Sequence, residues 1–151
     1  MNGIVIEELA STLLELKNYQ VIITLPNADT SGFIIRNRLL QLPEESANRI
    51  YCFDNLGSQA YFTAMKFCSF LLGNTSSGII EAASFGKYVI NLGYRQEGRK
   101  QSMNCYNVPF NKKLILQTVA RIEDSPTYTG ENIYYKGNAA LTICSILKNI
   151  N

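Results

Sequence analysis

The sequence contains one turn whose residue types and spacing suit the binding of a phosphorylated ligand. The turn is Gly73-Asn74-Thr75-Ser76-Ser77-Gly78, and a helical pattern follows it from Ile79 to Phe85. Glycines allow tight turning and a close approach to a ligand, and the hydroxyl groups would join the free N–H groups of a helix N-terminus around an anion. Glu81 lies one helical turn beyond Gly78, where its carboxylate would accept hydrogen bonds from both hydroxyls of a ribose. The pattern therefore predicts a site for a nucleotide diphosphate.

A plain helix cap is the alternative interpretation of the same residues. One hydroxyl would cap the helix, and Glu81 would be its capping-box partner. That interpretation leaves both glycines and the remaining hydroxyls without a role. The sequence has neither a Walker A motif nor a GxGxxG fingerprint, which disfavours an ATPase or a dehydrogenase.

Polar residues also follow other predicted strands. Pro26-Asn27-Ala28-Asp29 and the stretch from Asp54 to Ser58 each come after an apolar run, and Arg95 and Arg99 come after another. Ligands of open α/β sheets bind beyond the carboxyl ends of the strands, so these segments belong to the same predicted edge. The two arginines would neutralise a diphosphate or close over it; a solvated basic loop is the alternative.

Short apolar runs alternate with helical patterns along the chain, which predicts an α/β fold with a parallel sheet and helices on both faces. The chain is predicted to form one domain over residues 1–151. Doubly wound domains usually open on a strand, whereas this sequence opens on a helix. Either the first strand is absent, or residues outside this chain supply it. The predicted strands are Val21–Leu25, Ile50–Phe53, Phe70–Leu72 and Tyr88–Leu92.

Capping or helix-breaking residues mark the ends of several predicted helices. Gly86 and Asn111 are predicted caps, and the segment from Gly93 to Tyr106 is polar and turn-rich. The predicted helices are Ile6 to Leu16, Ile34 to Leu42 with an end at Pro43, Gln59 to Phe67, Ile79 to Phe85, a helix capped by Asn111 that reaches Ile122, and one capped by Asn138 that reaches Ile150.

The composition limits the chemistry that this chain can perform. It contains no histidine, which is the usual general base near neutral pH. The four cysteines have no CxxC spacing, so we expect neither a metal nor a cofactor. Cys52, Cys68 and Cys144 lie in apolar stretches and are predicted to be small buried hydrophobes. A net charge of +2 with scattered basic residues does not favour nucleic acid. No apolar run approaches the length of a membrane span, and an acidic N-terminus disfavours a signal peptide, so we expect a cytoplasmic protein.

The stretch from Leu72 to Gly86, continued by Asn91-Leu92-Gly93-Tyr94-Arg95-Gln96-Glu97-Gly98-Arg99, resembles the hydrolysing UDP-N-acetylglucosamine 2-epimerases. The turn Leu25 to Asp29 and the loop Asn55-Leu56-Gly57 are also similar to that family. The similarity covers most of the chain and only the C-terminal domain of the family. The family often has Ser at the position of Thr75, which keeps a hydroxyl, and Pro at the position of Ala83.

The resemblance implies a GT-B architecture, in which two Rossmann-like domains hold the substrate between them. It implies the reaction of UDP-N-acetylglucosamine to N-acetylmannosamine and UDP, in sialic-acid-type sugar synthesis. The family's catalytic carboxylates and one histidine lie in parts that this chain does not match, so we expect no catalytic residue here and no activity of the chain alone. The implied UDP contacts are Thr75 and Ser76 to the diphosphate, Glu81 to the ribose, Arg95 to the UDP, the Leu56 backbone to the uracil, and Asn27 in the cleft. The hydroxyl turn itself adds Ser77 to the predicted diphosphate contacts, and Asp29 and Arg99 are further cleft candidates.

Two other functions remain open from the sequence. One is the donor-binding domain of a GT-B glycosyltransferase, which uses a similar Glu and Gly/Ser turn. The other is a non-catalytic nucleotide-binding domain or remnant. The expected partners are UDP or UDP-N-acetylglucosamine and an N-terminal catalytic domain missing from this chain. A homo-oligomer is also a candidate, because an incomplete doubly wound domain exposes a sheet edge or an apolar face.

Overall fold

The computed structural model describes residues 3–26 and 32–150, which form an α/β fold of short parallel strands and helices. Charged residues are few on the strands. The strand side chains are apolar and often β-branched, which suits a buried parallel sheet. The helices are α1 (Gly3–Glu15), α2 (Gly32–Leu39), α3 (Leu42–Glu45), α4 (Gly57–Phe67), α5 (Ser76–Ile80), α6 (Lys112–Glu123) and α7 (Ala139–Lys148), and the strands are β1 (Val21–Thr24), β2 (Ile50–Phe53), β3 (Phe70–Gly73), β4 (Tyr88–Leu92) and β5 (Cys105–Val108).

The strands form two separate parallel sheets. β1 pairs with β2, with Val21 opposite Ile50. The second sheet has the order β3-β4-β5, with Gly73 opposite Asn91 and Asn91 opposite Asn107. The four predicted strands are confirmed to within one residue at each end. β5 was missed, because its sequence Cys-Tyr-Asn-Val follows a polar stretch that we predicted to be turns as far as Tyr106.

The first face of both sheets carries α1, α2, α3 and α6. One buried cluster joins Ile6, Ala10 and Leu13 of α1 to Leu39, Leu42 and Ile50. A second cluster packs α6 against β4 and β5 through Ile115, Val119, Ile90 and Val108. These clusters form most of the core and fix the strands from one side.

Among the described residues, helices cover the opposite face over the second sheet and not over the first. Met65 of α4 and Ala82 pack there against Val89 of β4. Over the first sheet, Ile22, Tyr51 and Phe53 on this face are 53%, 43% and 42% exposed. The predicted α/β fold with helices on both faces is confirmed, with this part of β1 and β2 left uncovered.

Three helical segments differ from the sequence-based prediction. The helix predicted to run from Ile34 to Leu42 is two helices, α2 and α3, because Pro43 lies in the first turn of α3 instead of ending the earlier helix. The helix predicted from Ile79 to Phe85 is the short α5 followed by a 3-10 turn, Ala82–Phe85, which ends at Gly86 with a left-handed φ of 67° as predicted. Asn138 precedes α7 at the cap position but makes no side-chain cap hydrogen bond.

The cysteines are less buried than the sequence suggested. Cys52, Cys68 and Cys105 are partly buried, and Cys144 on α7 is exposed. The prediction of a buried Cys144 is wrong because α7 has no buried residue. Within residues 3–26 and 32–150, no helix is both long and apolar enough to cross a membrane.

Candidate functional site

The turn between β3 and α5 is held by a glycine and a hydroxyl cap. Gly73 ends β3 with a φ of 152°, a conformation that L side chains rarely adopt. Thr75 caps α5, since its Oγ1 accepts a hydrogen bond from the Ser77 N–H at 3.3 Å. A Cβ at Gly78 would lie 3.1 Å from Val89 Cγ1, so this glycine allows α5 to pack closely on β4. Gly78 therefore serves helix–sheet packing, whereas the sequence had suggested an approach to a ligand.

The helix behind the turn is short, which changes how the site would hold an anion. α5 has five residues before the chain tightens into the 3-10 turn. A macrodipole grows with the number of aligned peptide units. The attraction to a phosphate would therefore come mainly from hydroxyls and local N–H groups, and only weakly from a long helix dipole.

Two buried polar atoms in this segment have no hydrogen-bond partner among the described residues: Ser77 Oγ and Glu81 Oε2. Glu81 lies at the C-terminal end of α5, six residues after the N-cap Thr75, whereas a capping-box partner lies three residues after it, so Glu81 is not that partner. A buried polar atom left unpaired costs about 1–3 kcal/mol. The described residues thus leave the hydrogen-bonding capacity of both atoms unused.

The arginine loop is tied to the turn by a glutamine. Gln96 is only 3% exposed, and its Nε2 donates to the Asn74 backbone oxygen at 2.7 Å. Arg95 and Arg99, on either side, are exposed and form no ion pair within the described part of the chain. The loop therefore presents two uncompensated positive charges from a backbone that is attached to the candidate anion site.

A cavity of about 430 Å³ lies at the carboxyl ends of β4 and β5. Arg99 and Glu97 line it together with the amides Asn91, Gln101 and Asn107. Asn91 is 2% exposed; its Nδ2 donates to Asn107 Oδ1 at 2.7 Å, and its Oδ1 has no partner among the described residues. We did not predict this amide cluster from the sequence, although an asparagine inside the apolar run Tyr88–Leu92 was a usable signal.

Among the remaining predicted contacts, Leu56 is the one that the structure describes beside the first sheet. Leu56, at the start of α4, is partly buried beside an Asx turn in which Asn55 Oδ1 accepts from the Gly57 N–H at 2.6 Å. Asn27 and Asp29 lie outside the described residues. The structure thus gathers Thr75, Ser76, Ser77 and Glu81 in one segment and ties the Arg95 loop to it. Leu56 lies in a loop that follows the other sheet.

These features define a Rossmann-like α/β domain with its polar turns at the carboxyl ends of the strands. The sequence profile of the UDP-N-acetylglucosamine 2-epimerases matches residues 3–148. The chain belongs to this family.

Individual relatives agree with this assignment. The GDP/UDP-N,N'-diacetylbacillosamine 2-epimerase (hydrolyzing) of Campylobacter jejuni is 39% identical over 106 residues, which are 70% of this chain and 28% of that protein. The polysialic acid biosynthesis protein P7 of Escherichia coli is 32% identical over 95% of this chain and 38% of its own length. The UDP-N,N'-diacetylbacillosamine 2-epimerase (hydrolyzing) of Legionella pneumophila is 33% identical over 88% of this chain and 35% of its own length. The chain therefore spans about a third of the length of these relatives.

Proposed function

We propose that this chain binds the UDP part of a nucleotide sugar and is the nucleotide-binding part of a hydrolysing 2-epimerase. The observation that carries the proposal is the pair of buried, unpaired atoms Ser77 Oγ and Glu81 Oε2 in the turn after β3. A nucleoside diphosphate supplies what each atom lacks. Ribose hydroxyls can donate to a carboxylate, and phosphate oxygens can accept from a hydroxyl.

In the proposed complex, different residues contact different parts of the ligand. Thr75, Ser76 and Ser77 contact the diphosphate, and Glu81 binds the ribose. Arg95 offsets part of the phosphate charge. Its guanidinium can do so because it forms no ion pair in the described structure. Two further assignments rest on the family resemblance alone. They place the uracil against the Leu56 backbone and place Asn27 in the cleft, where Asp29 and Arg99 are further candidates.

The proposed reaction has two stages. A base removes the proton from sugar C2 while the bond from C1 to the UDP oxygen breaks, and water then adds across the resulting double bond. The proposed task of this chain is to stabilise the negative charge of departing UDP. The proton transfers belong to residues in the parts of the relatives that this chain does not match.

The names of the relatives bear on the sugar. Two of them are named for N,N'-diacetylbacillosamine, and a UDP-N-acetylglucosamine 2-epimerase of Neisseria meningitidis is 26% identical over 78% of the chain. We propose a UDP-linked N-acetylated hexosamine as the substrate class. The family match favours this function over the donor-binding domain of a glycosyltransferase.

Titration with UDP, followed by amide NMR shifts, tests the binding site. We expect weak binding, with the largest shifts within residues 73–81 and in the loop around Arg95. Glu81→Ala should weaken the binding of UDP more than that of pyrophosphate, because the proposed partner of Glu81 is the ribose. Shifts concentrated elsewhere would contradict the proposed site.

Glu44→Ala is the matched control for this experiment. Glu44 is an exposed carboxylate on α3, and its removal changes the net charge by the same amount. If both variants lower UDP affinity equally, the effect is general electrostatics and Glu81 does not bind the ribose. If Glu81→Ala lowers the affinities for UDP and pyrophosphate equally, its role is not ribose recognition.

A further inference from the structure

The loop after β4 carries a buried glutamine among exposed charged residues. Gln96 is 3% exposed, whereas Arg95, Glu97 and Arg99 lie on the surface. Glutamine is mostly exposed in folded proteins, so a buried one in a polar loop needs a specific partner. The partner is Asn74, 22 residues earlier in the chain, whose backbone oxygen accepts a hydrogen bond from Gln96 Nε2 at 2.7 Å. The bond joins the arginine loop to the candidate anion turn.

Gln96 also holds the backbone of the arginine loop. Two turns overlap at this residue: the Glu97 N–H donates to the Tyr94 carbonyl at 3.0 Å, and the Arg99 N–H donates to the Gln96 carbonyl at 3.2 Å. Arg95 lies within the first turn, and Arg99 ends the second. The side chain that reaches Asn74 therefore leaves the loop at the residue that both turns share, so it fixes the backbone from which both arginines project.

The other end of the bond lies at the start of the hydroxyl turn. Asn74 immediately precedes Thr75, which caps α5. Because a peptide group is planar, a hydrogen bond to the Asn74 carbonyl also fixes the orientation of the Thr75 N–H. Within residues 3–26 and 32–150, no other hydrogen bond joins residues 94–99 to residues 73–78. Gln96 is thus the direct hydrogen-bonded connection between the two segments.

We propose that Gln96 is a positioning residue for diphosphate binding, and this inference rests on the proposed function. By holding the loop on the turn, Gln96 keeps the Arg95 guanidinium where it can pair with a phosphate bound at the hydroxyls. Gln96 acts without touching the ligand, because its Nε2 is used by Asn74 and its Oε1 is buried. A loop that is already fixed loses less conformational freedom on binding, and this raises affinity.

A role confined to the stability of the loop has a different consequence. In that case the loss of Gln96 would lower the stability of the fold without any special dependence on Arg95. A residue that acts through Arg95 has no effect on anion binding once the guanidinium is absent. A double-mutant cycle over Gln96 and Arg95 separates the two roles.

Pyrophosphate is the probe, titrated into the intact chain in a calorimeter. The variants are Gln96→Met, which has a similar length but no donor, Arg95→Ala, and the two together. We expect Gln96→Met to weaken pyrophosphate binding about fivefold, and by less than about twofold when Arg95 is already alanine. Gln117→Met replaces an exposed glutamine on α6 and is the matched control, which should leave the affinity unchanged.

The NMR signal of the Arg95 Nε–H group gives a second readout, which a change in stability alone would not move. We expect pyrophosphate to shift this signal in the original chain and to shift it much less in Gln96→Met, while the amides of the hydroxyl turn still respond. Circular dichroism checks that the variants fold. If Gln96→Met does not fold, Gln96→Asn replaces it, since this side chain keeps an amide but is one methylene too short to reach Asn74.

Three results would overturn the positioning role alone. One is that Arg95→Ala weakens pyrophosphate binding while Gln96→Met leaves it unchanged. Another is an equal loss on Gln96→Met with and without Arg95, since the two residues would then act independently. The third is binding that does not depend on Arg95. An original chain that binds neither pyrophosphate nor UDP would instead contradict the proposed function, and the positioning role with it.

Discussion

Arg49 joins the end of α1 to the first sheet. Its guanidinium donates to four backbone carbonyl groups, those of Leu13, Leu14, Leu16 and Tyr19, at 2.9–3.2 Å. The last carbonyls of a helix have no partner within the helix, and a cation there also opposes the negative end of the dipole. One side chain just before β2 thus completes the hydrogen bonding of a helix that contacts both cores.

Replacement of Arg49 should therefore destabilise the fold. We expect Arg49→Ala to lower the free energy of unfolding by about 2 kcal/mol, because hydrogen bonds to a charged group contribute about 1.5–3 kcal/mol. Arg49→Lys should restore only part of this lost stability, because one ammonium group cannot reach all four carbonyl groups. Urea unfolding measures the change. Lys113→Ala, on the exposed surface of α6, is the control. If Lys113→Ala and Arg49→Ala lower the free energy of unfolding equally, the capping role is contradicted.

At the scale of elements, α7 is a well-formed helix without packing. Its apolar residues, Leu141, Ile143, Ile146 and Leu147, are between 55% and 69% exposed, and none of its residues is buried. Helices of this length are marginal in water without tertiary contacts. The sequence pattern alone would place such a helix against a core.

Thiol labelling tests whether α7 is uncovered in solution. Cys144 lies on its surface, whereas burial raises the pKa of the Cys52 and Cys68 thiols, and that of Cys105 to about 11. A raised pKa leaves less reactive thiolate near neutral pH. We expect one fast-reacting thiol at pH 8, lost in Cys144→Ser, and three that react more slowly until denaturant exposes them. The absence of a fast thiol would show that α7 is covered, for example by a second copy.

The elements differ in how far sequence could predict them. β1 to β4 were predicted because each is an apolar run bounded by turn residues, and α6 because Asn111 caps a clear helical period. β5 was missed since its polar residues belong to an amide cluster, in which Asn107 bonds to Asn91 and Gln101. The turn after β3 was predicted from residue types, but the end of α5 and the start of the 3-10 turn were not. Gly78 and Ala82 of this segment pack against Val89, and local sequence does not encode that contact.

The same limit applies to the candidate site. Hydroxyls, glycines and Glu81 are visible as a motif, and the structure adds that Ser77 Oγ and Glu81 Oε2 are buried and unpaired. Gln96 was seen only as a residue between two arginines, yet its side chain ties their loop to Asn74. Contacts between segments that are distant in sequence carry no local signal, so they escape a pattern-based prediction.

At the scale of the whole molecule, the proposed reaction needs more groups than this chain carries. Proton removal at sugar C2 and water addition both require positioned acids or bases, each of which contributes about 10²–10⁴-fold. The chain has no histidine, and Glu81 is assigned to the ribose. The chain matches about a third of the length of its relatives, and we expect the groups that complete the reaction to lie in the parts that it does not match.

We therefore expect the isolated chain to release no UDP above background from UDP-N-acetylglucosamine or UDP-N,N'-diacetylbacillosamine. A coupled assay for UDP measures this, with the Campylobacter jejuni relative as the positive control. Addition of the N-terminal part of that relative tests whether the chain can act as the nucleotide-binding part in trans. Turnover by the chain alone that is abolished by Glu81→Ala or Arg95→Ala cannot come from a contaminant. That result would contradict the view that the chain only binds UDP, and it would mean that the acid and the base for the proton transfers lie within this chain.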